Sequence, residues 1–238
     1  MDWHTTPPKH SKGCYDYGVI KTIDGNRQKN IMTNLNQFFK EILELNFVSG
    51  GYQESEHEIA VENALFSNGF LKSKIKKITK LQRNLALNGG DIPGLKEGEY
   101  ISQPTGKNDS PDFIIRYKGK LYFIECKSSN KTYPVYNGGL PKEEYIYIFT
   151  SKATNETTIF YGKDVVSLEK RELYSELLVE LNEILHKYQN MPEWKDDSRG
   201  FDYYIRNMYT QSGGSEKTDY FTHKERLICE QNVLNSIR

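Results

Sequence analysis

Asp112, Glu125 and Lys127 are the residues of this chain whose types and spacing can do chemistry together. They lie in SPDFIIRYKGKLYFIECKSS, residues 110–129. Glu125 and Lys127 are two apart at the end of an apolar run, so on a β-strand both point to one face and Cys126 to the other. Pro111 has no backbone donor and belongs at a strand's entrance, which leaves Asp112 at the mouth of the first strand. The β-branched and aromatic runs at 113–117 and 121–124 flank Lys118-Gly119-Lys120, where glycine supplies the positive φ of a tight turn. This pattern predicts a β-hairpin whose pairing brings Asp112 near Glu125. Two converging carboxylates repel unless a cation lies between them. Two hard oxygen ligands with room for water and phosphate suit Mg²⁺, and the Cys126 carbonyl offers a further oxygen. Lys127 beside such an ion can position or help deprotonate a water, or neutralise charge on a phosphate oxygen. The chemistry implied is hydrolysis of a phosphodiester.

The rest of the chain must position this hairpin or bring a substrate to it. Of its 238 residues 37% are hydrophobic and 27% charged, a composition that predicts a folded chain rather than a disordered one. The 32 basic and 32 acidic residues cancel, which excludes a simple polycation; affinity for DNA has to come from uneven distribution. Cys14, Cys126 and Cys229 show no paired spacing, which predicts reduced thiols rather than a disulfide framework or a zinc site. No apolar run approaches ~18 residues and no charged-then-apolar leader is seen, so the expectation is a cytoplasmic protein with no membrane partner. A GxxxxGK[ST] phosphate loop is absent, which argues against an ATP-driven subunit.

In order along the chain, residues 1–30 predict an irregular amino-terminal arm, either a loose tail or an arm that touches DNA or a second subunit. Apolar residues at 31, 35, 38, 39, 42 and 45 predict a core helix. A second helix is expected over 55–70, capped by Ser55 with Glu58 and stopped at Asn68-Gly69, with Ile59, Leu65 and Phe66 inward and His57 solvated. Residues 71–88 carry Lys72, Lys74, Lys76, Lys77, Lys80 and Arg83 without an acid, interleaved with apolar residues at helical spacing. They predict a helix whose basic face suits phosphates, with Lys74, Lys77 and Lys80 as DNA contacts.

The loop 103–109 contributes Lys107 as a candidate contact. The loop after the hairpin contributes Ser129, Asn130, Lys131, Tyr136 and Asn137, well placed for a DNA groove. Strands at 144–149 and 157–160 complete an α/β (α+β) architecture: a central mixed sheet of about four to five strands flanked by helices. Leucines at 168, 173, 177, 178, 181 and 185 predict a helix covering the sheet or another subunit. The domain reading is an arm (1–30), a core (31–190) and a carboxy-terminal extension or subdomain packed on it (191–238). In that extension Phe201, Tyr204 and Met208 are expected in a core. Arg206, Asn207, Gln211 and His223 are candidates for base recognition.

Pro111-Asp112 followed by Glu125-Cys126-Lys127 at the end of a hydrophobic strand resembles the PD-(D/E)xK nuclease motif, and the chain resembles a type II restriction endonuclease. The likeness is carried by residues 110–129 alone. It implies a restriction-endonuclease-like fold and site-specific hydrolysis of both strands of duplex DNA with Mg²⁺, leaving a 5′-phosphate and a 3′-hydroxyl. It further implies that Asp112, Glu125 and the Cys126 carbonyl hold the metal and that Lys127 serves the attacking water. An acid on an earlier helix often joins such a site; Glu62 is the position nominated, with Glu58 its competitor. A twofold homodimer is implied, and a cognate DNA methyltransferase sharing the target. Three alternatives stay open: another nuclease of the same chemistry, such as a junction resolvase, repair or nicking enzyme; a non-catalytic nucleic-acid-binding module; and an ordinary surface hairpin whose Glu125 and Lys127 form an ion pair of little worth.

Overall fold

In a computed structural model of the chain, which describes residues 32–47, 56–136, 139–205, 209, 211 and 218–237, six strands form one mixed sheet. The elements run α1 (Leu35–Leu43), α2 (Glu56–Ser67), β1 (Leu71–Lys72), α3 (Lys80–Leu87), β2 (Glu99–Ser102), β3 (Phe113–Tyr117), β4 (Lys120–Ser129), β5 (Tyr145–Ser151), β6 (Glu156–Tyr161), α4 (Gly162–Val165), α5 (Leu168–Gln189), α6 (Pro192–Lys195) and α7 (Arg226–Ser236). The expected arm over 1–30, Ser55, Asn137, Arg206, Asn207 and Met208 lie outside the described residues.

Spatial order follows chain order from β1 to β6. β1 with β2 and β4 with β5 pair parallel, while β2 with β3, β3 with β4, and β5 with β6 pair antiparallel. The sheet exceeds the expected four to five strands because β1 has two residues and β2 four, too short for alternation to mark them in a sequence.

Both faces of the sheet are covered, which is why its central strands read as continuous apolar runs. On one face Phe113, Ile115, Ile124, Ile146, Ile148 and Ile159 meet Leu35, Phe38, Phe39 and Ile42 of α1 and Val61 and Leu65 of α2. On the other, Ile114, Phe123, Tyr145, Tyr147, Phe149 and Phe160 meet Ala86 of α3, Tyr136 and Phe221. The α1 stripe matches its sequence pattern, and Asn34 caps the helix by accepting from the Gln37 N–H at 2.9 Å.

Several expectations about faces and lengths are corrected. The buried stripe of α2 is His57, Val61 and Leu65, spaced by four, while Ile59 and Phe66 are exposed. His57 is buried rather than solvated, its Nε2 meeting the Ile148 carbonyl at 3.3 Å. Residues 71–88 do not form one helix. β1 and a stretch without regular structure precede α3, which starts at a Thr79–Gln82 capping box. The leucine-rich α5 buries none of its residues, so it does not cover the sheet. That role falls to α7, which packs on β6 and brings Val233 into the core, with Ile237 following. Phe201 and Tyr204, expected in a core, are exposed. Among the described residues no helix is long and apolar enough to cross a membrane.

Candidate active site

The hairpin's register follows from its turn. Lys118 and Gly119 have φ of 51° and 72°, the two consecutive positive values of a two-residue type I′ connection. Tyr117 therefore faces Lys120, and the ladder counts down to Phe113 opposite Ile124. The ladder ends there, and the Asp112 N–H also donates to the Ile124 carbonyl, at 2.9 Å, which holds Asp112 at the level of Glu125 and Cys126. Asp112 Oδ2 then accepts from the Cys126 N–H at 2.7 Å. Backbone groups alternate from edge to edge along a strand, so the Cys126 carbonyl shares the edge that its N–H presents to Asp112. Cys126's side chain packs on the opposite face, against the α1–α2 core.

Glu125 and Lys127 share the other face, as their spacing requires, and Lys127 Nζ donates to Glu125 Oε1 at 2.7 Å. Glu125 Oε2 is buried and meets no hydrogen-bond donor among the described residues. A third carboxylate arrives from α2: Glu58 Oε2 accepts from Gln103 Nε2 at 2.7 Å, and the same nitrogen donates to Asp112 Oδ1 at 3.1 Å. Glu58, Asp112, Glu125 and Lys127 line a cleft of ≈ 580 Å³ together with Lys107, Asp109, Tyr136, Lys142 and Tyr147.

Electrostatically the cleft carries an excess of acid. Burial, then the Glu125 and Glu58 carboxylates, push Asp112 well above the ordinary carboxylate range, against the pull of the Cys126 N–H and of Lys127. Burial also raises Glu125, with Glu58 and Asp109 adding to it and Lys127 opposing. Burial works against the Lys127 ammonium, but Glu125, with Asp112 adding to it, holds Lys127 above the usual lysine value. Neighbouring carboxylates, one of them with a buried oxygen unpaired, are groups that a cation would stabilise. Among the described residues no three His, Cys, Asp or Glu side chains stand close enough together to hold a metal ion by themselves, so an ion here would rest on fewer side chains and on water. The open arrangement suits Mg²⁺, which takes one or two carboxylates and keeps its waters.

Glu62, the acid nominated from the sequence, is not in the cleft. It lies one helical turn beyond Glu58 and faces β1 and β2, accepting from the Tyr100 hydroxyl at 3.0 Å and pairing with Lys72 at 2.8 Å. Its competitor Glu58 is the one brought to Asp112. Gln103 was not singled out by sequence reasoning. Its signal is the register itself, since the Gln103 N–H donates to the Asp112 carbonyl at 2.7 Å directly after β2.

The candidate DNA contacts fare unevenly. Lys107 lines the cleft. Lys80 pairs with Asp109 at 3.4 Å, and Arg83 binds Asp109 at 2.9 Å and the Ser110 carbonyl at 2.7 Å, so part of the basic run pins the loop leading into the hairpin. Lys74 and Lys77 are exposed. Ser129 Oγ accepts from the Lys131 N–H at 3.0 Å; Asn130 and Lys131 are exposed. Tyr136 is buried, its hydroxyl shares a hydrogen bond with that of Tyr220 at 3.2 Å, and it forms a wall of the cleft. Gln211 donates to the Tyr220 hydroxyl at 3.2 Å, and His223 Nδ1 accepts from the Glu225 N–H, so both serve local structure.

Compared with protein-family models, with curated proteins and with solved structures, the chain finds no match.

Proposed function

We propose that this chain is a Mg²⁺-dependent nuclease of the PD-(D/E)xK kind, acting on duplex DNA as a site-specific type II restriction endonuclease. The observation that carries the reading is the meeting of Asp112, Glu125 and Lys127 in one buried cleft, on two strands whose register a two-residue turn fixes. The order of the central strands, an antiparallel hairpin followed by a parallel partner, supports a restriction-endonuclease-like fold.

Asp112, Glu125, Glu58 and the Cys126 carbonyl are the groups from which the ion would draw its protein ligands. A bound divalent cation supplies Lewis-acid polarisation of the phosphate and a more acidic water. Lys127 keeps its proton at neutral pH, because Glu125 stabilises the ammonium. Its role is therefore to donate to a phosphate oxygen or to orient water, and to stabilise charge that grows as the bond breaks, rather than to act as a base. Asp112 is fixed by the Cys126 N–H and by Gln103, so its carboxylate is set in place before substrate arrives. One such site per chain, acting on both strands of a palindrome, is most simply served by a twofold homodimer. A methyltransferase sharing the target would protect the host's own DNA.

The test is incubation with mixed-sequence plasmid and Mg²⁺, beside EDTA controls and the variants Asp112→Asn and Lys127→Met. Discrete fragments that disappear in EDTA and in both variants are the expected result, and sequencing their ends gives target and stagger together. Equal activity in the variants overturns the site. Nicking alone, or preference for branched DNA, moves the activity to a related nuclease.

A further inference from the structure

Glu58 comes from α2 and Asp112 from the entrance of β3, and two carboxylates do not approach each other unaided. Between them stands the Gln103 carboxamide, whose nitrogen donates to Glu58 Oε2 at 2.7 Å and to Asp112 Oδ1 at 3.1 Å. Both of its N–H bonds are thereby used on carboxylates. The reverse orientation of the amide would turn an acceptor oxygen toward two acids, so the network itself assigns the nitrogen. Gln103 Oε1 is buried and meets no donor among the described residues. The backbone here is also special. Gln103 has φ of 49°, in the left-handed region that residues with a side chain seldom occupy. It is held there by its N–H to the Asp112 carbonyl at 2.7 Å and by the Gly106 N–H to its own carbonyl at 3.0 Å. A glycine would take this conformation with less strain, so what distinguishes glutamine at this position is its carboxamide.

The choice of group matters. A lysine between the two acids would also join them, but it would cancel the charge that attracts a cation. A carboxamide binds both carboxylates through neutral donors and leaves their charge in place.

Building on the nuclease reading above, we infer that Gln103 is a positioning residue that joins Glu58 to the Asp112–Glu125 acids and thereby sets the affinity of the cleft for a divalent cation. It does not act on the substrate; it acts through Glu58 and Asp112.

The test measures Mn²⁺ binding to the DNA-free protein by calorimetric titration, with thermal stability in EDTA recorded alongside. Gln103→Gly removes the carboxamide while suiting the left-handed backbone, so its melting temperature should equal or exceed that of the unaltered chain. Its Mn²⁺ affinity should fall by about 10- to 100-fold, the usual effect of removing a group that orients metal ligands. Gln103→Asn, which tolerates the same backbone but is too short to span both acids, should lose affinity likewise. Glu58→Gln should weaken binding comparably, and the Gln103→Gly/Glu58→Gln pair should bind no more weakly than Glu58→Gln alone, because the two act as one unit. Unchanged Mn²⁺ affinity in Gln103→Gly, or losses that add in the double variant, overturn the inference while leaving the nuclease reading intact. An unaltered chain that binds no Mn²⁺ and cuts no DNA overturns both.

Discussion

Glu58 and Glu62 sit one turn apart on α2, and replacing each with glutamine should separate activity from stability: one variant loses cleavage, the other a little stability. Glu62 pairs with Lys72, with the two side chains 30% and 57% exposed, so solvent screens the interaction. A pair of that kind contributes about 0.2–1 kcal/mol. Glutamine still offers an oxygen to the Tyr100 hydroxyl, so Glu62→Gln should lower stability by less than about 1 kcal/mol, a shift below roughly 2–4 °C at this chain length. Cleavage should stay within about twofold, because no group that would touch substrate or metal changes. Glu58→Gln keeps an acceptor for Gln103 but removes a negative charge that raises both Asp112 and Glu125. Its melting temperature in EDTA should hold or rise, since an acid-acid repulsion in a buried cleft is relieved. Its cleavage rate should fall by about 10²–10³-fold, or ~3–4 kcal/mol of transition-state stabilisation, the scale for removing one well-placed electrostatic group. The assay is the rate of loss of supercoiled plasmid at saturating Mg²⁺, paired with melting curves in EDTA. If Glu62→Gln loses as much activity as Glu58→Gln, or if Glu58→Gln melts lower and cuts normally, the membership of the site is wrong.

Other consequences follow from the same geometry. Burial holds His57 down at about 4, against an ordinary value of 6.5, so the unfolded chain takes up the proton first. Its contribution to stability is complete above about pH 6.5 and is lost as pH falls toward 4, reaching about 2 kcal/mol near pH 5. Asp112 and Glu125 trend the other way, because their raised values favour the folded state on acidification. The measurement is therefore the difference between the unaltered chain and His57→Gln in urea unfolding with EDTA at pH 7 and pH 5; identical losses contradict the argument. Lys127→Met strands Glu125 in the cleft without its ammonium. Breaking a buried pair costs about 3–5 kcal/mol, and since Lys127 is 25% exposed the expected loss is about 2–3 kcal/mol, largely restored by adding Glu125→Leu. A single variant as stable as the unaltered chain would mean that the pair is surface decoration. Mg²⁺ at a hundred times its Kd should stabilise the folded chain by about 2.7 kcal/mol, an effect that Asp112→Asn should largely abolish. No rise in melting temperature with Mg²⁺ would argue against a cation site in this cleft.

What could be read from the sequence was what depends on neighbours in the chain. The Lys118-Gly119 turn is local, strand alternation is local, and counting back from the turn gives Phe113 opposite Ile124, which leaves Asp112 and Glu125 as the next residues on their two strands. Glu58 and Glu62 could not be told apart in this way. Four residues separate them, so helical phase puts both on one face; the choice is made by β2, a four-residue strand with no legible pattern, and the residue after it, which set Tyr100 before one glutamate and Gln103 before the other. Amphipathic patterning has a related limit. The leucines of α5 announce an apolar face but not what it meets, and the helix buries none of its residues, while the less regular α7 supplies Val233 to the core.

Charge along the chain is as poor a guide as apolar spacing. Residues 71–88 look uncompensated because no acid stands among them. Yet Lys72 finds Glu62, and Lys80 and Arg83 both find Asp109, a residue of the loop that enters the hairpin. The basic run is in part the clamp that holds that loop beside the acids. The converse holds in the cleft. Glu58, Asp112 and Glu125 come from three separate elements of a chain whose formal charge is zero, and folding concentrates them in one cleft beside Lys127. The gathering of acids in the cleft is therefore a property that the fold creates by separating charges the composition had balanced.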